Sequence, residues 1–373
     1  MRWSAQGYRE LERGRGWEGY REGHRGNARG GERGGGGAPT GGKSDSRAHI
    51  ELNQQITRLG SAGELCRLIE ARSAEFNHVN VSTAFRKLLS AGRAGVHPTA
   101  RSTALNKLEL CAMSTMADFG SQGVANILHI IAKKRHRPTN QEFLARMDAR
   151  VEAVARECNS QNVANTLWAY ATMGRRPGEG VLGALGSRLL ASGAGLQTFS
   201  AEERRQLHQF FLSCSLDWKE EGFGGPAACS LLKAREAFES ECRLAFVVPD
   251  VSPSASQIQV SHAVRLHLGL LVEDEYRCPR SGYAIDMLVS DARPSAASAG
   301  APGGGRSWAV EFDGPDHYLA CGSPKGGTLL KHRHLRQLGY ALVVVPYWEW
   351  DKVSGDEASE AGYLRGKLGL GSV

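Results

Sequence analysis

Between residues 48 and about 216 the apolar positions fall at helical spacing, and the pattern repeats. SQGVANILHIIAKKRHRP (121–138) aligns with SQNVANTLWAYATMGRRP (160–177) at an offset of 39 residues, Asn126 on Asn165. Fainter copies are FNHVNVSTAFRKLLSAGR (76–93) and FSAEERRQLHQFFLSCSLD (199–217). In the clearest copy Val163, Leu167, Tyr170 and Ala171 stand at i, i+4, i+7 and i+8, one apolar helix face. Ser160 is placed to cap that helix, and Gly174 and Pro177 to stop it. Phe143, Leu144, Met147, Val151 and Val154 mark a further helix over 140–156, between the copies. Two helices per unit at this period predict a solenoid of helical hairpins.

Beyond residue 226 the pattern changes. Helices are expected at 229–245, with Leu231, Ala234, Phe238, Cys242 and Ala245 on one side, and at 256–268. Strands follow at 270–277, carrying Glu273, Asp274 and Glu275, then at 283–290 and 308–312. A helix over 328–338 ends at Gly339, and a strand over 341–346 leads to Trp348 and Trp350. A last helix holds Tyr363, Leu364 and Leu368. This order predicts an α/β sandwich. The chain is therefore expected to be an α+β multidomain protein, with helical repeats at 48–216 and an α/β domain at 227–373. Residues 217–225 are read as a linker, and the Ala/Ser/Gly/Pro stretch 291–306 as a loop within the second domain.

Residues 1–47 are rich in Gly and Arg, with Trp3, Tyr8, Trp17 and Tyr20 interleaved and almost no aliphatic side chains. Such a segment cannot bury a core and is expected to be a disordered tail. Arginine with aromatics suits loose RNA contact. As an organelle transit peptide it is atypical, because Glu10, Glu12, Glu18, Glu22 and Glu32 interrupt it. The formal net charge of +7 favours an anionic partner, nucleic acid first. Eight cysteines form no CxxC pair and no zinc spacing with histidine, which points to free thiols in a reducing compartment. No apolar run approaches the roughly 20 residues of a membrane span.

Candidate chemistry gathers on the strands. Asp286 sits inside a short apolar strand, where an acid is costly unless paired or coordinated. Alternation puts Glu311 and Asp313 on one face of the next strand. Three converging carboxylates would suit Mg²⁺, with Asp286 and Glu311 as its ligands; pairing of Asp286 with a nearby Arg or Lys is the competing use. His317 and Lys331 are available beside them. His332 and His334, two apart on a helix, face different ways and are not read as metal ligands. Lys331, Arg333 and Arg336 give that helix a basic surface for RNA phosphate or for solvent. Trp348 and Trp350, two apart on an extended stretch, would share a face for core packing, or for base stacking if exposed. Lys133, Lys134, Arg135 and Arg137 follow one repeat copy, and Arg175 and Arg176 the next, so they could form a phosphate-binding edge.

The SQxVANxL echo resembles octotricopeptide repeats of organellar RNA-binding proteins and the leucine-rich helical region of the FAST kinase-like family. That resemblance implies that Gln122, Asn126, Gln161, Asn162 and Asn165 are offered to single-stranded RNA; hydrogen bonding between helices is the competing use of the asparagines. The segments SGYAIDMLV, WAVEFDGPDHYL, GTLLKHRHLRQLGYALVVVPYWEW and YLRGKL resemble the RAP domain, with a core at about 308–368. That domain is similar to the PD-(D/E)xK nuclease fold, especially its very-short-patch repair endonuclease branch. The similarity implies Asp286 as first acid and Glu311 as second, with Asp313 where such nucleases place lysine, and with His317 or Lys331 as substitutes. A kinase reading is excluded, because no Gly-rich phosphate loop, VAIK, HRD or DFG set is present. The resemblances imply an RNA-binding protein of organellar RNA metabolism acting on mRNA or rRNA, together with other processing proteins. No cofactor is needed for binding, and the mitochondrial matrix stands ahead of the plastid stroma. The alternatives are a Mg²⁺-dependent endoribonuclease using Asp286, Glu311, Asp313 and His317, and a protein–protein scaffold.

Overall fold

Asn77, Asn159 and Ser200 each open a helix by accepting the backbone N–H three residues on, so three of the repeat copies begin as capped helices, while Gly120 opens the fourth without a side-chain cap. Asn159 holds the capping position expected of Ser160, which is the first helical residue. The computed structural model describes residues 42–91, 96–191, 195–218, 225, 228–247, 252–291 and 306–370. The expected tail up to residue 41, the linker at 219–224 and the loop at 292–305 lie outside them.

Among the described residues the first ten helices are α1 (Gly42–Arg58), α2 (Ala62–Arg72), α3 (His78–Ser90), α4 (Pro98–Ser114) and α5 (Ser121–Lys134), then α6 (Phe143–Val154), α7 (Ser160–Met173), α8 (Glu179–Leu190), α9 (Ala201–Leu216) and α10 (Cys229–Val247). Helix α1 begins inside the stretch expected to be tail, so 42–47 are helical. The helices form two layers: α3, α5, α7 and α9 stack in one, and α2, α4, α6, α8 and α10 in the other. Val163, Leu167, Tyr170 and Ala171 are buried at the predicted face. Polar ties join neighbouring units. Asn162 donates from Nδ2 to Ser121 Oγ at 3.1 Å, Gln206 to Asn165 Oδ1 at 3.2 Å, and Trp168 Nε1 to Gln209 Oε1 at 2.8 Å. Helix α10, expected in the second domain, packs its Leu231, Ala234 and Cys242 into the core of the helical array. All eight cysteines are free.

The sheet is mixed, with strand order β1 (Leu271–Arg277), β2 (Ala284–Ser290), β3 (Ser307–Asp313), β4 (Leu342–Pro346). Its first two pairings are antiparallel and the third parallel, which needs a crossover; α12 (Gly326–Gln337) supplies it. Helices α11 (Ala255–Leu268) and α14 (Glu357–Leu368) cover one face, where Val260, Val264, Met287, Val310, Trp350 and Leu364 form a core. The short α13 (Tyr347–Trp350) follows β4 directly.

Helix α12 covers the other face and is itself covered by the array. Leu335 packs with Leu212, Tyr283 and Ala309, and Leu330 joins the array core. Gly326 Cα lies so close to the α5 and α7 ends that a Cβ there would meet Ala132 O at 2.2 Å and Thr172 Cγ2 at 2.6 Å. Arg333 binds Asp217 through Nε–Oδ1 at 2.9 Å and Nη2–Oδ2 at 2.8 Å, and also donates to Ala171 O. Its cation therefore sits at the carbonyl ends of α7 and α9, where the helix dipoles favour it. His334, buried, bridges Ser213 Oγ at 2.8 Å and Tyr283 OH at 3.0 Å.

His208 of α9 crosses the same junction, its Nε2 donating to Ser281 O at 2.7 Å. Burial lowers its pKa to about 4, against the opposing pull of the Ser281 carbonyl. The folded protein thus refuses a proton that the unfolded chain accepts near 6.5. Its contribution is complete above that pH and is lost as pH falls toward 4. Wild type is expected to lose about 2–3 kcal/mol more than His208→Gln between pH 7 and 4.5 in denaturant titrations. Equal losses would show that His208 titrates alike in both states.

Candidate functional site

Strand alternation places Val310 and Phe312 in the core under α11 and α14, and turns Glu311 and Asp313 the other way, beneath α12. Both acids are buried, at 1% and 0% exposure. Lys331 reaches down from α12 and donates to Glu311 Oε2 at 2.5 Å. Asp313 faces two histidines and a tyrosine. His317 Nδ1 lies 2.6 Å from its Oδ1, Tyr318 OH donates to Oδ2 at 3.3 Å, and His332 Nε2 is 3.5 Å from Oδ2. On β2, Asp286 accepts the Phe312 N–H through Oδ2 at 2.7 Å.

Glu275 completes the acid group. It lies on β1 between the register pairs Asp274↔Met287 and Tyr276↔Ile285, across from Asp286. Its φ of 52° is in the left-handed region, which costs a non-glycine residue about 1–2 kcal/mol. Both its carboxylate oxygens are buried without a hydrogen-bond partner. Burial, then Asp286, raises its pKa. Burial likewise pushes Glu311 well above the carboxylate range, with Asp286 and Asp313 adding to it and Lys331 opposing. Burial works against the Lys331 ammonium too, but the carboxylates of Glu311, Asp286 and Asp313 outweigh it and hold Lys331 above its ordinary value. For Asp313, burial is overcome by the hydrogen bond to His317 and by the nearness of the His332 ring, which keep it far below the usual range.

The mouth of this group is the loop from Pro315 to Lys325. His317, 42% exposed, stands in it. Lys325 N donates to His317 O at 2.7 Å, and Tyr318 bridges to Pro324. One side of the loop carries three half-buried aromatics: Tyr318 lies 4.4 Å from Trp348, and Tyr347 5.2 Å from Trp348, both edge to face. Arg135, exposed at the end of α5, donates to Pro324 O of the same loop at 3.3 Å. Arg135 adopts φ 53°, the position filled by Gly174 in the next unit. Lys133 is exposed and Lys134 half-buried beside it. Burial and then the charges of Lys325 and Lys133 lower the Lys134 pKa. Among the described residues no carboxylate pairs with Lys133, Lys134 or Lys325.

The structure brings Asp286, Glu311, Asp313, His317 and Lys331 together. It scatters the residues expected to meet RNA. Gln122, Gln161, Lys133, Arg135 and Arg336 are exposed, and Asn126 is half-buried. Asn162 and Asn165 are spent on inter-unit hydrogen bonds. Arg175 is paired with Asp148 and Arg176 with Glu179. Lys331 and Arg333 point into the protein, at Glu311 and Asp217, so neither is a surface phosphate contact; α12 is basic because it is clamped between carboxylates and helix ends. Trp348 and Trp350 do not share a face. They lie on a helical turn, where two residues subtend about 200°, so Trp350 enters the core while Trp348 joins the rim. Sequence reasoning gave no role to Tyr318, Tyr347, Lys325, Glu275 or Asp217. The aromatic spacing around DGPDHY and PYWEW was the available signal for the first two.

The elements β3, α12, β4 and α14 lie in a stretch that compares with a known family. Residues 310–367 match the RAP domain. Over 90 residues the chain is 31% identical to a RAP domain-containing protein, chloroplastic, of Oryza sativa subsp. japonica. The matched stretch covers 24% of this chain and 12% of that protein. The RAP domain, associated with RNA binding, supports a general nucleic-acid-related role. No described helix is long and apolar enough to cross a membrane.

Proposed function

We propose that the chain is an RNA-binding protein of organellar RNA metabolism, acting in transcript stability, processing or translation. In this reading it holds single-stranded RNA across the rim of the RAP domain. The observation that carries this is the loop Pro315–Lys325, whose Tyr318 meets Trp348 and, through it, Tyr347, and whose Pro324 carbonyl accepts from Arg135 beside its lysine neighbours. Aromatic faces accept any unstacked base for about 1–3 kcal/mol each. Unpaired cations beside them suit the phosphates. The left-handed Arg135 fits this use, because a strained turn is kept with a guanidinium where the next unit has glycine. The chloroplastic relative supports an organellar setting and leaves plastid against mitochondrion open.

The second reading is a metal-dependent endoribonuclease. Lys331 supports it, since it brings to Glu311 the positive charge that Asp313 withholds from the strand. Mg²⁺ would be held by Asp286 and Glu311, each of which keeps one carboxylate oxygen outside the hydrogen bonds described. Bound there it would polarise a phosphodiester and activate water.

One set of samples tests both. Labelled single-stranded RNA is titrated by anisotropy at two salt concentrations, and the same mixtures are run on gels with Mg²⁺ or EDTA. Binding is expected to weaken with salt, and to fall roughly tenfold or more in Lys133→Glu/Arg135→Glu and in Tyr318→Ala/Trp348→Ala. Unchanged affinity in both variants would remove the rim as the interface. Mg²⁺-dependent cleavage lost in Asp286→Ala/Glu311→Ala, with binding intact, would establish the nuclease. Neither binding nor cleavage would leave the protein scaffold.

A further inference from the structure

We propose that Glu311, Asp313 and His332 form a site for one divalent first-row transition ion, Zn²⁺ or Mn²⁺ in kind, that pins α12 to β3. A carboxylate oxygen of each acid and a ring nitrogen of His332 lie within 4.8 Å of one another. All three side chains are at least nine-tenths buried. Two of their polar atoms, Glu311 Oε1 and His332 Nε2, have no hydrogen-bond partner. Leaving such buried atoms unsatisfied is costly, so the native protein is expected to satisfy them with something.

The geometry says what. His332 Nε2 and Asp313 Oδ2 are 3.5 Å apart. That is long for a charge-assisted hydrogen bond, whose length is about 2.7–2.9 Å. Two ligands each about 2.0–2.2 Å from one ion are, by contrast, roughly 2.8–3.6 Å apart at octahedral to tetrahedral angles. The charge balance points the same way. Glu275, Asp286, Glu311 and Asp313 are four acids on this face of the sheet, met by the Lys331 ammonium and the Arg277 guanidinium. Lys331 occupies Oε2 of Glu311 and leaves Oε1 to the site. His317, on Oδ1 of Asp313, orients that carboxylate from behind, as outer partners of metal ligands do. An imidazole beside two carboxylates selects Zn²⁺ or Mn²⁺ over Mg²⁺ and Ca²⁺, which take oxygen alone. The ligand set shares Glu311 with the nuclease reading but takes Asp313 and His332 in place of Asp286, and Tyr318, which donates to Asp313 Oδ2, is where the rim touches it.

The test uses the full chain, stripped with chelator and dialysed against Mn²⁺ or Zn²⁺ alone. One equivalent is expected to be retained by elemental analysis, and pulsed EPR of the Mn²⁺ form is expected to show coupling to an imidazole nitrogen. His332→Gln should bind at least roughly tenfold more weakly, while Asp286→Asn keeps the ion and equimolar Mg²⁺ does not displace it. Absence of stoichiometric ion, absence of the nitrogen coupling, or loss in Asp286→Asn but not in His332→Gln would each overturn the proposal. If His332→Gln does not fold, the nitrogen coupling in the wild-type protein decides alone. RNA titrations on the stripped protein keep this outcome separate from that of the rim.

Discussion

Asp217→Ala is expected to destabilise the protein by about 3–5 kcal/mol, the cost of leaving a buried charge without its partner. Asp217 is 6% exposed at the end of α9 and holds both nitrogens of the Arg333 fork, with His334 Nε2 a further 3.5 Å away. Burial alone would raise its pKa; hydrogen bonds from His334 and Arg333 reverse that and hold it far below the carboxylate range. Removing the carboxylate leaves Arg333 at the junction of array and sheet, with only Ala171 O among its described partners on the array. Urea unfolding checks this, and Asp217→Asn should recover part of the loss, because one amide oxygen can still accept. A loss under 1 kcal/mol in Asp217→Ala would mean that Arg333 is solvated and the pair is a surface contact.

Gly326→Ala should cost about 3 kcal/mol or more, although it adds a single methyl group. The new Cβ would stand 2.2 Å from Ala132 O, a backbone carbonyl at the end of α5 that cannot swing aside. Either α12 lifts off the array or α5 frays. Gly180→Ala is the control. Its Cβ would stand 2.0 Å from Glu152 Oε2, but that is the far end of an exposed, flexible side chain, so the carboxylate moves and the change should stay within about 1 kcal/mol of wild type. Calorimetric melting separates the two. Equal effects would show that the α5–α12 approach is looser than described, and would weaken the view that array and sheet form one folded body from Asp45 onward.

The helices were legible because their period is local. Val163, Leu167, Tyr170 and Ala171 form a buried stripe whatever covers it, and the echo between 121–138 and 160–177 fixes the hairpin unit. The site was half legible. Alternation along a strand is geometric, so Glu311 and Asp313 had to share a face, and Asp286 inside an apolar strand signalled a partner. Glu275 escaped because it enters the group through a left-handed backbone that no strand pattern announces. The Trp348–Trp350 relation failed because β4 ends at Pro346 and the chain turns helical at once, replacing a period of two with one of 3.6.

What the sequence by itself determined, then, was the repeat helices, the strands, their apolar faces and the pairing of two acids on one strand. Only the tertiary structure decided what lies opposite the polar faces. Helix α12 shows the difference. Lys331, Arg333 and His334 read as a basic surface, yet the array covers them, and Asp217, Glu311 and Tyr283 meet them from distant parts of the chain. Periodicity is set within a few residues by backbone geometry. Burial of a charge depends on a partner brought by packing, and for Arg333 that partner is 116 residues away in the sequence.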